Sequence, residues 1–410
     1  MEYWDSVVVG GGPAGMMAAA VAAARGKKVL LLEKNKTLGK KLLITGGGRC
    51  NVTNNKPLVR EMLAKYKKSD KFLFSAFSQF GVTKALDFFN SRGMHTKEEN
   101  EGRMFPLSNK AQSVWDALVH EMQKTGVVVR TGVAVKSIQR EGQDFLILLQ
   151  NGTTVQSKTC VVAVGGTSRP ETGSTGDGYA WMRTLGHSVV ENDFALVPVA
   201  LCDGWAKKLG GVALSDIKLT LMQDGKKQEV QKGKLLFTHF GISGPAVLNL
   251  SRTIGEFLGY GEVMLLLDLF PTTDPGALKT QVQTLLVSES NKKIKNTLGG
   301  LVPKALVPAL LELVHIDGET PCHSVRSGER VALVSLLKKV PLHVEGLLGA
   351  DKAVVSSGGV APEEVTFKTM QSRLVPNLFI VGDMLNIDRP SGGYSLQLCW
   401  TTGFVAGSHV

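Results

Sequence analysis

The chain has 410 residues, of which 43% are hydrophobic, 20% charged and 6% aromatic. That composition excludes a disordered chain and, at about 150 residues per domain, predicts two or three domains. Its five cysteines (50, 160, 202, 322 and 399) are scattered and never spaced as CxxC, which excludes a disulfide framework and a Cys-based zinc site and points to reduced thiols in a cytoplasm. The net charge of +11 is local: fourteen basic and three acidic residues lie between Arg25 and Lys71, and the rest of the chain is balanced at thirty-three of each.

No apolar stretch reaches the roughly 18 uncharged residues of a membrane span. Glu2 and Asp5, with no basic n-region, do not read as a signal peptide. Ser6–Gly10 is a short apolar strand, a glycine turn opens a small-residue helix to about Arg25, and Lys28–Glu33 is a second strand, together a βαβ unit. Residues 75–92 and 110–125 predict amphipathic helices. Val127–Arg130, Val133–Arg140 and Phe145–Gln150 predict strands, and Thr159–Gly165 a buried strand ending in a glycine pair.

From about Asn192 short strands alternate with polar turns, at Val197–Leu201, Lys218–Gln223, Gln228–Lys232 and Val263–Asp268. Between about Pro275 and Lys339 the pattern is helical, punctuated by Pro303 and Pro308. Strand texture returns from about Ala353, and Asn377–Asp383 reads as another buried parallel strand. The expected fold is α/β: a doubly wound, Rossmann-like domain in two parts, residues 1–192 and 350–410, interrupted by an insertion over 193–349.

Gly10-Gly-Gly-Pro-Ala-Gly15 satisfies GxGxxG at Gly10, Gly12 and Gly15, after a strand and at the start of a helix. The first glycine makes the turn, the second admits a pyrophosphate, and the third packs helix on strand. Glu33, at the end of the next strand, is placed to accept from a ribose 2′-hydroxyl. Of two further glycine-terminated strands, the one ending at Gly165-Gly166 suits a close pass by an adenosine, and the one ending at Gly382-Asp383 sets a carboxylate where an extended ribityl chain offers hydroxyls. Asp383 suits a ribityl chain or a helix N-cap, and both roles are compatible. Ser391-Gly392-Gly393-Tyr394 opens a second helix toward a pyrophosphate and flavin. This layout is that of FAD proteins.

Thr45-Gly46-Gly47-Gly48-Arg49-Cys50-Asn51-Val-Thr-Asn54 is the most unusual stretch. Its glycines let backbone lie against a planar ring, Arg49 offers a fixed positive charge to a reduced flavin, and Asn51 and Asn54 supply amides for ring carbonyls or local turns. The composition alone fits a plain loop equally well.

Five motifs, Gly10–Gly15, Thr45–Asn54, Gly173–Tyr179, Leu236–Pro245 and Gly392–Gln397, occur in that order. Together they resemble the bacterial aminoacetone-oxidase-like family of FAD-binding oxidoreductases, over essentially the whole chain. The resemblance implies a split FAD domain, an inserted β-barrel domain and a helical subdomain within it, at about residues 275–340. It implies amine oxidation, reduction of bile-acid enones, or NADH-dependent reduction of a 23S ribosomal RNA uridine to dihydrouridine. The expected FAD contacts extend to Pro13, Ala14, Lys34, Lys41, Val135 and Gln397. The chain departs from the commoner pattern at Asp383, where Glu is usual, at Ser395, where Asn is usual, and at Arg389-Pro390.

Reduction of a polarised C=C needs hydride from the flavin at one carbon and a proton at the other. Cys50 is the first candidate acid, His239 the second and Tyr394 the third. The plainer readings are a packed thiol, a structural imidazole and a ring packed at an edge. NADH is the expected transient reductant. A flavin disulfide reductase is excluded, because Cys50 has no cysteine neighbour at short spacing. The expected substrate is a ribosomal RNA uridine, because Arg60, Lys65, Lys67, Lys68 and Lys71, with Tyr66 among them, suit a phosphate backbone. Lys292, Lys293, Lys295 and Lys304 add to that charge; solvation of a helix is the plainer account. The alternative is a small-molecule amine oxidase or enone reductase, and a third reading is an RNA-binding flavoprotein with little turnover. No metal and no membrane partner is expected.

Overall fold

The computed structural model describes residues 2–190, 194–349, 355–356 and 358–410. The side chains of Lys67 and Lys68 lie outside the described residues, as do residues 192, 193 and 350 at the expected domain limits. The chain divides into two compact units, Met1–Phe194 with Val354–Val410, and Ala195–Ala353.

The first unit is built on a mixed nine-stranded sheet. Its parallel core runs Leu378–Ile380, Thr154–Val162, β1 (Glu2–Val9), β2 (Val29–Glu33) and Val128–Thr131. Every residue of β2 is buried, as a strand covered on both faces requires. Asp144–Leu149 adds antiparallel to Thr154–Val162, and Val135–Glu141 adds antiparallel to Asp144–Leu149. Between β1 and β2 runs α1 (Pro13–Ala24), with nine of its residues buried. It packs against the helix Tyr394–Gly407, where a Cβ at Gly407 would lie 2.5 Å from the Ala18 carbonyl oxygen. Small residues set that distance, and with it the place of the second helix N-terminus.

The helix predicted over 75–92 is two helices, Asp70–Gln79 and Val82–Asn90. The Phe80 carbonyl accepts from the Thr401 hydroxyl at 2.7 Å instead of a helical N–H, and Gly81 starts the second helix from extended backbone.

In the second unit six strands, Val199–Leu201, Gly241–Ser243, Lys226–Thr238, Ala213–Gln223, Val263–Asp268 and Val340–Leu347, pair in a closed antiparallel cycle. Leu219, Leu221, Phe237, Leu265 and Leu267 have no exposed surface and form its core. Helices at Pro275–Ser288, Ile294–Thr297, Val307–Leu313 and Ser327–Lys338 lie between its last two strands. Among the described residues no helix is long and apolar enough to cross a membrane, and no cluster of His, Cys, Asp or Glu is suited to a metal ion.

Candidate FAD site

The parallel strands deliver their carboxyl ends to one place. Gly10 follows β1 at φ +105°, and a Cβ there would lie 2.6 Å from the Ala163 carbonyl oxygen; glycine is required on both counts. The Gly39 N–H donates to the Gly11 carbonyl at 2.9 Å, and a Cβ at Gly382 would lie 3.0 Å from that of Ala14. The fingerprint turn is thus enclosed by Gly39, Ala163 and Gly382. On its remaining side a Cβ at Gly12 would meet nothing within 4 Å. The amino end of α1 begins there at Pro13, a cradle for an anionic group.

Glu33 is buried at the end of β2. Its Oε2 accepts from the Gly11 N–H at 2.8 Å, and its Oε1 from the Asn35 backbone and side chain at 2.7 and 2.8 Å. These bonds orient the carboxylate and leave lone pairs for a hydroxyl. Lys34 donates to Thr175 and Asp177 at 2.5 and 2.8 Å, which draws the Gly173–Tyr179 motif to the same end. Burial raises the Asp177 carboxyl, but the hydrogen bonds from Lys34 and Thr175 outweigh it and the net shift is downward. Gly132 and Val133 donate to the Asn35 and Glu33 carbonyls at 2.8 and 2.9 Å, bringing the start of the Val135 strand beside Glu33.

The Thr45–Asn54 motif meets the Gly392–Gln397 motif more than 300 residues away. The Asn54 amide donates to the Gly392 carbonyl at 3.2 Å, and the Trp400 indole to the Val52 carbonyl at 2.9 Å. Gly46, Gly47 and Gly48 form an exposed left-handed turn at φ +57°, +68° and +82°. The Oδ1 atoms of Asn51 and Asn54 are buried without a hydrogen-bond partner. Unsatisfied buried acceptors are costly, and FAD carries N–H and hydroxyl donors; the residues present fit that cofactor.

Arg389 is buried and joins the three departures from the commoner pattern into one network. It pairs with Asp383, donates from Nε to the Ser395 hydroxyl at 3.0 Å, and donates to the Ile387 carbonyl at 2.6 Å. Lys41 donates to the Ser168 hydroxyl at 3.2 Å, beside Gly165.

Several expected roles are corrected. Cys50 and Gln397 have 0% exposed surface and no face left for a flavin or a substrate. Burial pushes the Cys50 thiol up to about 12 against a weaker opposing bond from Thr45. Gln397 accepts from the Thr53 hydroxyl at 2.7 Å and bonds Thr401 at 3.1 Å. Arg49 is not a free charge for the flavin: it pairs with Glu99, bonds Asn109 and lies 4.2 Å from the Phe105 ring centre. Tyr66 is a core residue, not a base-stacking one. Lys292 pairs with Glu289, and Lys293 and Lys295 with Glu319. Arg60, Lys65 and Lys71 are exposed. Tyr394 is nearly buried, and burial raises its phenol to about 12. His239 belongs to the second unit, exposed on the turn after Lys226–Thr238, its ring edge-on to Phe240. Spacing and motif missed the Lys34–Asp177 contact, because only the fold makes those positions neighbours, and the Glu33–Asn35 and Asp383–Arg389 contacts, because spacing does not say which way a side chain turns.

The profile of the family described as HI0933-like protein Rossmann domain matches residues 4–409. A 3-dehydro-bile acid delta(4,6)-reductase of Clostridium scindens is 32% identical over 92% of this chain and 90% of its own length. A ribosomal RNA dihydrouridine synthase of Escherichia coli is 32% identical over 98% of this chain and 97% of its own. The fold is shared with the 3-ketosteroid-delta4-(5alpha)-dehydrogenase of Rhodococcus jostii, at a TM-score of 0.56 and 15% identity, over 100% of this chain and 96% of that one. With its fingerprint turn, a buried carboxylate at the end of β2 and a match spanning nearly every residue, the chain belongs to the HI0933-like family and is an FAD-dependent oxidoreductase, with NAD(P)H as electron donor.

Proposed function

We propose that the protein reduces a conjugated carbon–carbon double bond of a small enone with electrons from NAD(P)H. The observation that carries the small-molecule reading is the fate of the basic surface: Tyr66 is enclosed in the core, and Lys292, Lys293 and Lys295 are each held by a glutamate. The bile-acid reductase among the relatives supports the same substrate class.

FAD, when bound, supplies hydride chemistry at the flavin. In this reading Gly10–Gly15 and the amino end of α1 hold its pyrophosphate, Glu33 its ribose, Gly165 and Gly166 its adenosine, Asp383 its ribityl chain, and Thr45–Gly48 and Asn51 with Gly392 and Gly393 the flavin end. With Cys50 enclosed, proton delivery falls to Tyr394, the candidate donor within the first unit, held protonated by burial. The second unit is then a β-barrel domain inserted into the FAD-binding domain, with a helical subdomain at about 275–340.

A second reading, reduction of a 23S ribosomal RNA uridine to dihydrouridine, is supported by the dihydrouridine synthase relatives and by the exposed Arg60, Lys65 and Lys71. One variant separates the two. Replacing those three residues by Glu leaves NADH-dependent enone reduction unchanged under the first reading. Under the second it weakens RNA binding and flattens the log–log salt slope by about 0.7 for each lost single-strand phosphate contact. Hydrogen peroxide formed with amines, in place of NADH oxidation with an enone, would instead establish an amine oxidase.

A further inference from the structure

Gly46, Gly47 and Gly48 stand in the left-handed region in succession, and Cys50 follows at φ +61°. Glycines lose much freedom when such a turn is ordered, and a cysteine is rarely left-handed, so the neighbours must impose this shape. Before the turn the Thr45 hydroxyl donates to the Leu42 carbonyl at 2.7 Å. After it the Cys50 N–H returns to the Thr45 carbonyl at 3.0 Å, and the Val52 N–H donates to the Met104 carbonyl at 2.8 Å. The middle of the turn is open: a Cβ at Gly47 would meet nothing within 4 Å.

Arg49 supplies a further tie. Its guanidinium donates twice to the Glu99 carboxylate and twice to the Asn109 Oδ1. It also lies against the Phe105 ring, whose edge is 3.4 Å from where a Cβ of Gly46 would be. Glu99 and Phe105 belong to a small antiparallel sheet of Thr53–Asn54, Arg103–Pro106 and Thr96–Glu99, and Asn109 closes the turn that follows it, its N–H on the Pro106 carbonyl at 2.9 Å. The same sheet takes up the motif again where Thr53 pairs with Met104. The hydrogen bond from Arg49 is the largest influence on the Glu99 carboxyl and holds its pKa below the usual value, and Lys97, 3.5 Å away, acts in the same direction.

We propose that Glu99 and Asn109 are positioning residues of the cofactor site: through Arg49 they hold the Gly46–Gly48 turn, before FAD arrives, in the shape that receives the flavin. The inference rests on the reading of this turn as the flavin end, and goes beyond it by assigning the shape of the turn to two residues outside every motif. A turn that is competent only part of the time weakens binding in proportion to its competent fraction. Charge-assisted bonds from both edges of a planar guanidinium raise that fraction. The charge of Arg49 is matched by Glu99, so the effect on affinity comes from the shape of the turn and not from a net charge beside the flavin.

The test titrates apo-protein with FAD and follows amide hydrogen exchange of residues 45–50 by mass spectrometry, with and without FAD. Glu99→Gln is expected to exchange faster in that segment and to bind FAD about fivefold more weakly, and Arg49→Met about tenfold. The double variant removes both charges and is expected to bind no better than Arg49→Met. Asn109→Gly keeps the left-handed backbone and loses the acceptor, and is expected to resemble Glu99→Gln; Asn109→Asp keeps an accepting oxygen and is expected to restore wild-type affinity. Wild-type exchange and Kd in Glu99→Gln and Arg49→Met overturn the proposal. So does a double variant that recovers wild-type affinity, which would make net charge the cause. Should Arg49→Met fail to fold, Glu99→Gln and the two Asn109 variants decide. Faster exchange in the variants, with FAD neither slowing it nor bound more weakly, overturns the placement of the flavin end and the proposal with it.

Discussion

Tyr66 donates its phenolic hydrogen bond to the carbonyl oxygen of Tyr394 at 2.8 Å, and the two rings meet edge-on with centroids 6.1 Å apart. The contact ties the basic stretch to the first residue of the helix Tyr394–Gly407. Tyr66→Phe removes the bond and leaves a buried carbonyl without that donor, at a cost of about 1–3 kcal/mol. Urea unfolding is expected to show that loss, with FAD affinity reduced and any RNA affinity unchanged. A variant that weakens RNA binding without losing stability would return Tyr66 to the surface role.

Gly12→Val is a clean probe of the cofactor site, because an added Cβ meets no protein atom within 4 Å. The fold is expected to keep its stability, while the side chain occupies the space in front of the α1 amino end. The wild type is expected to be yellow and to release FAD on denaturation, and the variant to purify largely colourless. A variant with full flavin content would move the pyrophosphate elsewhere.

Breaking the Asp383–Arg389 pair strands a buried charge. Arg389→Met and Asp383→Asn are each expected to destabilise the first unit by about 3–5 kcal/mol. The double variant should lose less than the sum of the two, and thermal unfolding of all three proteins completes the cycle. Additive losses would mean that the two side chains do not act as a pair.

Cys50 is held protonated in the core, whereas Cys202 is exposed. Alkylation of native protein followed by mass spectrometry is expected to label Cys202 and spare Cys50 until the protein unfolds. Cys50→Ala is expected to cost about 1 kcal/mol of stability and to slow flavin reduction and substrate reduction equally little. A loss of about 10²–10⁴ in substrate reduction alone would make Cys50 the acid after all.

His187 joins the two sequence-distant parts of the first unit: its ring bonds Glu364 at 2.8 Å and the Ser372 hydroxyl at 2.9 Å. Burial raises the Glu364 carboxyl, but hydrogen bonds from Ser188 and His187 outweigh it and the net shift is downward. A carboxylate whose folded pKa is depressed contributes stability above its unfolded value of about 4.3, and that stability is lost as pH falls through the folded value. Glu364→Gln is therefore expected to lower stability at neutral pH and to flatten the acid limb. Acid titrations of the two proteins that run parallel would exclude the linkage.

The sequence by itself determined the βαβ start, the GxGxxG turn with Glu33 at the next strand end, and the strand that closes on Gly382. Those signals are local: a glycine dictated by its backbone, a run of apolar residues, and a carboxylate at a fixed distance along the chain. It also contained every motif of the cofactor site, without saying which side chains face outward. Only the tertiary structure decided that Cys50, Tyr66 and Gln397 point into the core, that Arg49 is paired with Glu99, and that the helix over 75–92 breaks at Gly81. Burial depends on neighbours hundreds of residues away: Tyr394 for Tyr66, Thr53 for Gln397, Thr401 for the Phe80 carbonyl. A polar side chain near a binding motif reads the same from sequence whether it meets a ligand or a core partner, because the choice is made by packing against residues distant in the chain and not by the local sequence.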